Sequence, residues 1–164
     1  MSTASLPLPR RRGRRSLRAL LGFGAATFAA AAIGAFAVRG TATEYDTLVR
    51  PSWAPPSWLF GPVWTVLYVS IAVAGWLAWQ RAGWGPALWS YAAQLVLNAA
   101  WTPIFFGLGR YGLALVDIVA LWLLVAATIV LFHRVSRPAA GLLAPYLAWV
   151  SFATALNAAI VTLN

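Results

Sequence analysis

The sequence predicts an all-α integral membrane protein, with five transmembrane helices in an up-and-down bundle. Three observations carry that prediction. Of the 164 residues, 62% are hydrophobic and only 9% charged, against about 25% charged in a soluble domain. Mean hydropathy is +0.76, which excludes a water-soluble globule. Long uncharged stretches recur at the length of about 20 residues that crosses a bilayer.

The elements follow in order. Residues 1–18 form a basic tail, and residues 19–164 form the membrane domain. The first span, 19–38, is uncharged and rich in Ala and Gly. Its pairs Gly22/Ala26 and Ala30/Gly34 permit close helix approach or dimerisation. Residues 39–59 form the one long loop, rich in Trp and Pro, which argues for order. The second span, 60–79, and the third, 86–109, are uncharged. Pro62 and Pro86 fall in their first turns, where a missing N–H costs nothing. Pro103 lies deep in the third span and should kink it. The fourth span, 112–132, holds one acid, Asp117. The fifth, 142–163, places Pro145 in its first turn. Links at 80–85, 110–111 and 133–141 are short, so neighbouring spans run antiparallel.

Arginine sets the orientation. Six of the twelve Arg lie between Arg10 and Arg18. With the N-terminus inside, Arg81, Arg134 and Arg137 join them, leaving Arg39, Arg50 and Arg110 outside. That distribution favours a cytoplasmic N-terminus and an outer long loop. Arg14-Arg15-Ser16-Leu17-Arg18 is also similar to a twin-arginine export signal, with Ala35-Phe36-Ala37 as a cleavage pattern. The apolar run is longer than the ~7–15 residues of a signal core, however. An Arg-rich transit peptide is a further alternative. Arginines ahead of a span are better explained by topology and anionic lipid than by nucleic acid.

Polar groups inside a membrane are costly and mark function by default. Here they share helix faces with aromatics. At about 100° per residue, Gln94, Asn98, Trp101 and Phe105 fall on one face. So do Phe60, Trp64 and Tyr68, and likewise Tyr146, Trp149, Ala153 and Asn157. Three such stripes converge on a bundle interior suited to a flat, rigid, apolar ligand. The competing reading is amides that only bridge helices, at about 0.6–2 kcal/mol each. Trp58, Trp79, Trp84 and Trp89 sit near span ends and read as an interfacial belt. Trp76 and Trp122 fit either role. Asp117 is either a ligand or proton-linked group or a partner for a neighbouring helix. Asp46 and Arg50 in the long loop either pair or hold an anionic ligand.

The chain has no Cys, which excludes disulfides, thiolate metal sites and Cys nucleophiles. No nucleophile–base pair, phosphate loop or metal-spaced cluster is present in the pattern, so no catalytic or metal-ligating residue is assigned. His133, at the end of the fourth span, reads as structural.

Motifs in the last three quarters of the chain carry a resemblance. Trp53-Ala-Pro55-Pro56 and Phe60-Gly-Pro-Val-Trp64-Thr-Val-Leu67-Tyr68 come first. Gln94-Leu-Val-Leu-Asn98-Ala-Ala-Trp101 with Phe105-Phe106 follows, then Ala114-Leu115-Val-Asp117. The last is Pro145-Tyr146-Leu-Ala-Trp149-Val-Ser-Phe-Ala153-Thr154-Ala-Leu156-Asn157. In order and spacing they resemble the tryptophan-rich sensory protein family (TspO/MBR), which includes the mitochondrial translocator protein, or peripheral-type benzodiazepine receptor.

The resemblance implies a porphyrin-binding membrane protein that acts as a sensor or carrier in porphyrin or stress metabolism. Its alternatives are a light- or oxidant-dependent porphyrin-degrading enzyme, or a lipid, sterol or proton-coupled transporter. It implies a lid containing Trp53 and Pro55, and pocket walls of Trp64, Tyr68, Asn98, Trp101, Trp149 and Ala153. Gln94, Asp117 and Asn157 are further polar candidates. No cofactor is required; porphyrin or haem is the expected ligand. Expected partners are a tetrapyrrole or other hydrophobic small molecule, membrane lipid and a second copy of the chain. The Arg-only, Ala- and Gly-rich composition points to a bacterial cell membrane. The sterol motif of animal members, a Tyr followed by a basic residue late in the fifth helix, is missing from Asn157–Asn164.

Overall fold

The computed structural model describes residues 10–38 and 44–164, with the side chains of residues 16–38 and 45–164. Five long helices form the body: α1 (Arg10–Ala37), α3 (Phe60–Ala82), α4 (Pro86–Thr102), α5 (Tyr111–Val135) and α6 (Arg137–Leu163). A single short helix, α2 (Glu44–Thr47), and a 3-10 turn (Ser57–Leu59) shape the long loop. Among the described residues there is no strand. Ser16–Ala37, Ser57–Ala82, Tyr111–Val135 and Arg137–Leu163 are long and apolar enough to cross a membrane. Helix α4 has 17 residues and is extended by a five-residue π turn, Pro103–Gly107. It reaches the length of about 20 only with that turn. Among the described residues four helices therefore qualify outright, where five spans were expected.

Local chemistry explains the boundaries. Pro86 opens α4 at its first turn. Gly83 ends α3 with φ 65°, and its N–H donates to Trp79 O at 2.8 Å. A left-handed cap of this kind favours glycine. Arg81 lies in the last turn of α3, and His133 and Arg134 in that of α5, where the helix dipole favours positive charge.

The chain and spatial orders differ. Around the bundle the helices follow the ring α1–α3–α6–α5–α4, and α4 closes back on α1. Helices α3 and α4 are joined by three residues yet touch little. The core is apolar, with Ile71, Ala74, Leu88, Val125, Phe132, Leu143 and Tyr146 essentially sealed. Phe28, Val66, Val69, Val96, Val116 and Leu123 face outward and are exposed. Such an outer face is stable in lipid and not in water.

Several boundaries differ from expectation. The 133–141 link is not a loop: α5 runs to Val135 and α6 starts at Arg137. Ser136, at φ −156° and ψ 98°, makes the whole break. Pro138 stands at the helix start, and Pro145 lies inside α6 rather than in its first turn. Charge did not reveal this, because a helix interface end tolerates Arg137. The basic run from Arg10 is helical and leads into the apolar stretch of α1 that starts at Ser16. The Arg10–Arg15 side chains, with the twin-arginine pair, and Arg39 lie outside the described residues. Ala30/Gly34 serves packing within the chain: a Cβ on Gly34 would stand 3.3 Å from Thr102 Oγ1 of α4.

Candidate binding cavity

A cavity of about 420 Å³ opens between α1, α3, α4 and α6, under the long loop. Small residues of α1 (Ala31, Gly34 and Ala35) keep its wall thin on that side. Phe60, Trp64 and Tyr68 line it from α3, one turn apart. Trp101 and Thr102 line it from α4, and Phe105 and Phe106 from the π turn. Ala153, Leu156, Asn157 and Ile160 line it from α6, with Tyr45 and Ser57 on the loop side.

Two aromatic pairs dominate these walls. Trp64 and Tyr68 stack with centroids 5.3 Å apart and planes at 29°. Trp101 and Phe105 lie 5.0 Å apart at 30°. Pro103 explains how the second wall is built. Proline has no N–H to donate, and its ring clashes with the carbonyl of residue i−4. The chain responds with a wider turn, in which Leu108 N–H donates to Pro103 O at 3.0 Å. π turns of this kind concentrate at functional sites.

Hydrogen bonds lock the walls together. Tyr68 OH donates to Asn98 Oδ1 at 2.8 Å, and Asn98 Nδ2 donates to Tyr146 OH at 3.1 Å. Tyr146 OH then donates to Gln94 Oε1 at 2.9 Å. Trp101 Nε1 donates to Asn157 Oδ1 at 3.1 Å, and Asn157 Nδ2 to Tyr111 O at 2.9 Å. The amides thus tie α3, α4, α5 and α6 together. Among the described residues, three buried polar atoms have no such partner: Gln94 Nε2, Asp117 Oδ2 and Trp149 Nε1.

The described part of the long loop is compact. Tyr45 is buried and donates its hydroxyl to Pro55 O at 3.0 Å. Burial pushes the Tyr45 phenol up from its ordinary value, while Arg50 pulls it down less strongly. The phenol therefore stays a neutral donor. Asn164 clips the loop to the end of α6: its Oδ1 accepts from Val49 N–H, and its Nδ2 donates to Val49 O, both at 3.1 Å.

Not every expected site residue reaches the main cavity. Trp64, Tyr68, Trp101, Ala153 and Asn157 line it. Asn98 and Trp149 instead line a neighbouring void of about 20 Å³, bounded also by Phe60, Trp64, Trp101 and Ala153. Trp149 packs edge-on against Phe60 at 5.8 Å. Trp53 is half exposed and leans on Phe152 at 5.8 Å. Pro55 lines an outer hollow of the loop. Gln94 is sealed in the core, and Asp117 is half-buried on α5 and lines neither void. Trp58, Trp84 and Trp89 are exposed, as a belt requires, whereas Trp79 packs on the core. Trp76 Nε1 donates to Ser16 O and Trp122 Nε1 to Ser151 Oγ, so both bridge helices. Sequence reasoning missed Tyr45, Ser57 and the α1 wall. Only the Ala30/Gly34 pair signalled the last of these. Among the described residues, no group of three His, Asp or Glu is placed to hold a metal ion.

Together these features define a polytopic α-helical membrane protein with an aromatic-walled cavity beneath a folded loop. The chain belongs to the TspO/MBR family, whose profile matches residues 23–163. It is 47% identical over 126 residues to the tryptophan-rich protein TspO of Chlorobaculum tepidum, covering 73% of this chain and 78% of that protein. It is 43% identical over 138 residues to the tryptophan-rich sensory protein of Cereibacter sphaeroides, covering 82% and 87%. It is 46% identical over 118 residues to the human translocator protein, covering 69% and 70%. The family supports a multi-pass membrane protein with a sensory or translocator role.

Proposed function

We propose that this protein binds a tetrapyrrole in the cavity and acts as a membrane sensor or carrier for it. One observation carries the reading: two flattened aromatic pairs, Trp64/Tyr68 and Trp101/Phe105, line a single 420 Å³ space. That volume falls in the range of about 300–1,000 Å³ usual for small-molecule sites. Flat, apolar walls suit a flat, apolar macrocycle, and each offset contact adds about 0.5–1.5 kcal/mol beyond burial. Stacking requires no metal and no resident cofactor. Asn98 acts on the ligand through Tyr68, whose hydroxyl it holds. Trp53 and Pro55 belong to the loop over the mouth, and Trp149 backs the inner wall. Names such as "sensory" and "translocator" among the relatives fit a sensor or carrier. The arginine distribution supports a cytoplasmic N-terminus, with the loop facing outward.

The test is a titration of the purified protein with protoporphyrin, read by tryptophan fluorescence. Saturable quenching is expected. The double variant Trp64→Phe/Trp101→Phe should bind about three- to tenfold more weakly. Unchanged affinity in that variant would remove the assigned walls.

A further inference from the structure

Stacking leaves one feature of the cavity mouth unused, the ion pair of the loop. Arg50 Nη1 lies 3.2 Å from Asp46 Oδ1. Both members touch residues that line the cavity. The Arg50 guanidinium carbon sits 4.5 Å from the centroid of the Tyr45 ring, and Tyr45 lines the cavity. Asp46 Oδ2 accepts the Ser57 hydroxyl at 3.2 Å, and Ser57 lines it too. On its far side Arg50 borders the open hollow formed with Leu48, Pro51 and Pro55. Among the described residues, the cavity lining carries no charged side chain.

This placement constrains any ligand that is both flat and acidic. Its apolar body gains by entering the cavity. A carboxylate cannot follow, because an unpaired charge in an apolar space is heavily penalised. The acid must stay at the rim, where Arg50 offers a planar fork that matches a carboxylate. Asp46 already engages one arm of that fork and is itself half exposed. Exposed ion pairs are weak, so a second carboxylate can exchange with it.

We infer that Arg50 is the acid-recognition residue of this site, and that Asp46 is its internal competitor. The site takes a flat apolar ligand with a carboxylate on one edge, and that carboxylate displaces Asp46 from Arg50. The inference rests on the tetrapyrrole reading and specifies its ligand class. Tyr45 couples the two regions, lining the cavity and lying under the guanidinium.

The experiment compares protoporphyrin, a dicarboxylic acid, with its dimethyl ester on the full chain in detergent. The readout is the ratio of acid to ester affinity, which is internal to each protein sample. Arg50→Gln should lower that ratio about three- to tenfold. Arg50→Lys should recover part of it. Asp46→Asn should raise it, by removing the competitor. A ratio unchanged in Arg50→Gln, or an equal loss for both ligands, overturns the role of Arg50 and leaves the cavity reading standing. Absence of quenching by either ligand in the wild type overturns the tetrapyrrole reading and this inference with it.

Discussion

Asn98 holds three helices at once. Its carbonyl takes the Tyr68 hydroxyl from α3, and its amide nitrogen donates to Tyr146 of α6. Replacing it with Ala strands the Tyr68 hydroxyl and removes one of the two bonds of Tyr146, which keeps Gln94 as acceptor, at about 1–3 kcal/mol. The expected outcome is a Tm lower by roughly 3–10 °C in detergent; an unshifted melt would mean that the network is replaced by water. Gly75 makes a similar point through space. A Cβ there would stand 2.7 Å from Tyr91 Cζ. Gly75→Ala should therefore destabilise the protein by about 1–3 kcal/mol, which a thermal melt reads directly. At this scale the polar faces were legible. Helical spacing put Gln94, Asn98 and Trp101 on one face, and the structure brings that face against α3 and α6. What spacing cannot supply is depth. Trp149 shares its face with Ala153, yet it packs behind Phe60 and misses the main cavity. Tyr45 was illegible for another reason: its burial depends on contacts from the loop, not on any period.

The elements carry the shape of the cavity. Pro103 was expected to kink its helix, and the observed response is a π turn. Its location was legible because proline's missing N–H is a local fact; its form depends on which carbonyls the next residues reach. Pro103→Ala restores the N–H and allows a regular helix to continue. Phe105 and Phe106 would then rotate relative to Trp101 by up to about 100°. Porphyrin affinity should fall by threefold or more while the Tm does not drop; equal affinity would show that the turn does not shape the wall. The α5–α6 junction is not legible in the sequence because Arg137 and Pro138 look like loop residues. A buried Ser136 suffices to reverse the chain, and helix starts tolerate proline. The long loop is held by Asn164 as well as by Tyr45. Asn164→Ala should speed chymotryptic cleavage after Trp53 severalfold, measured by the rate of loop nicking. An unchanged rate would place the loop's stability in Tyr45 and the Asp46–Arg50 pair alone.

The whole molecule is a ring of helices with lipid outside and a thin-walled space within. Composition alone made the membrane legible, because no other solvent accepts so apolar an outer face. The number of tryptophans made sense only with positions attached. Trp58, Trp84 and Trp89 face outward near helix ends, whereas Trp64 and Trp101 line the space. The central claim is that this space is where the ligand sits. Ala153 tests it most directly, since it lines both the cavity and the adjoining void. The decisive measurement is a protoporphyrin titration of wild type and Ala153→Leu side by side, with the Tm of each recorded. Leu adds bulk into the cavity and leaves every hydrogen bond described above in place. The account predicts saturable quenching in the wild type and about tenfold or greater loss of affinity in the variant, with the fold retained. Equal affinity in the two proteins, at equal Tm, would contradict it.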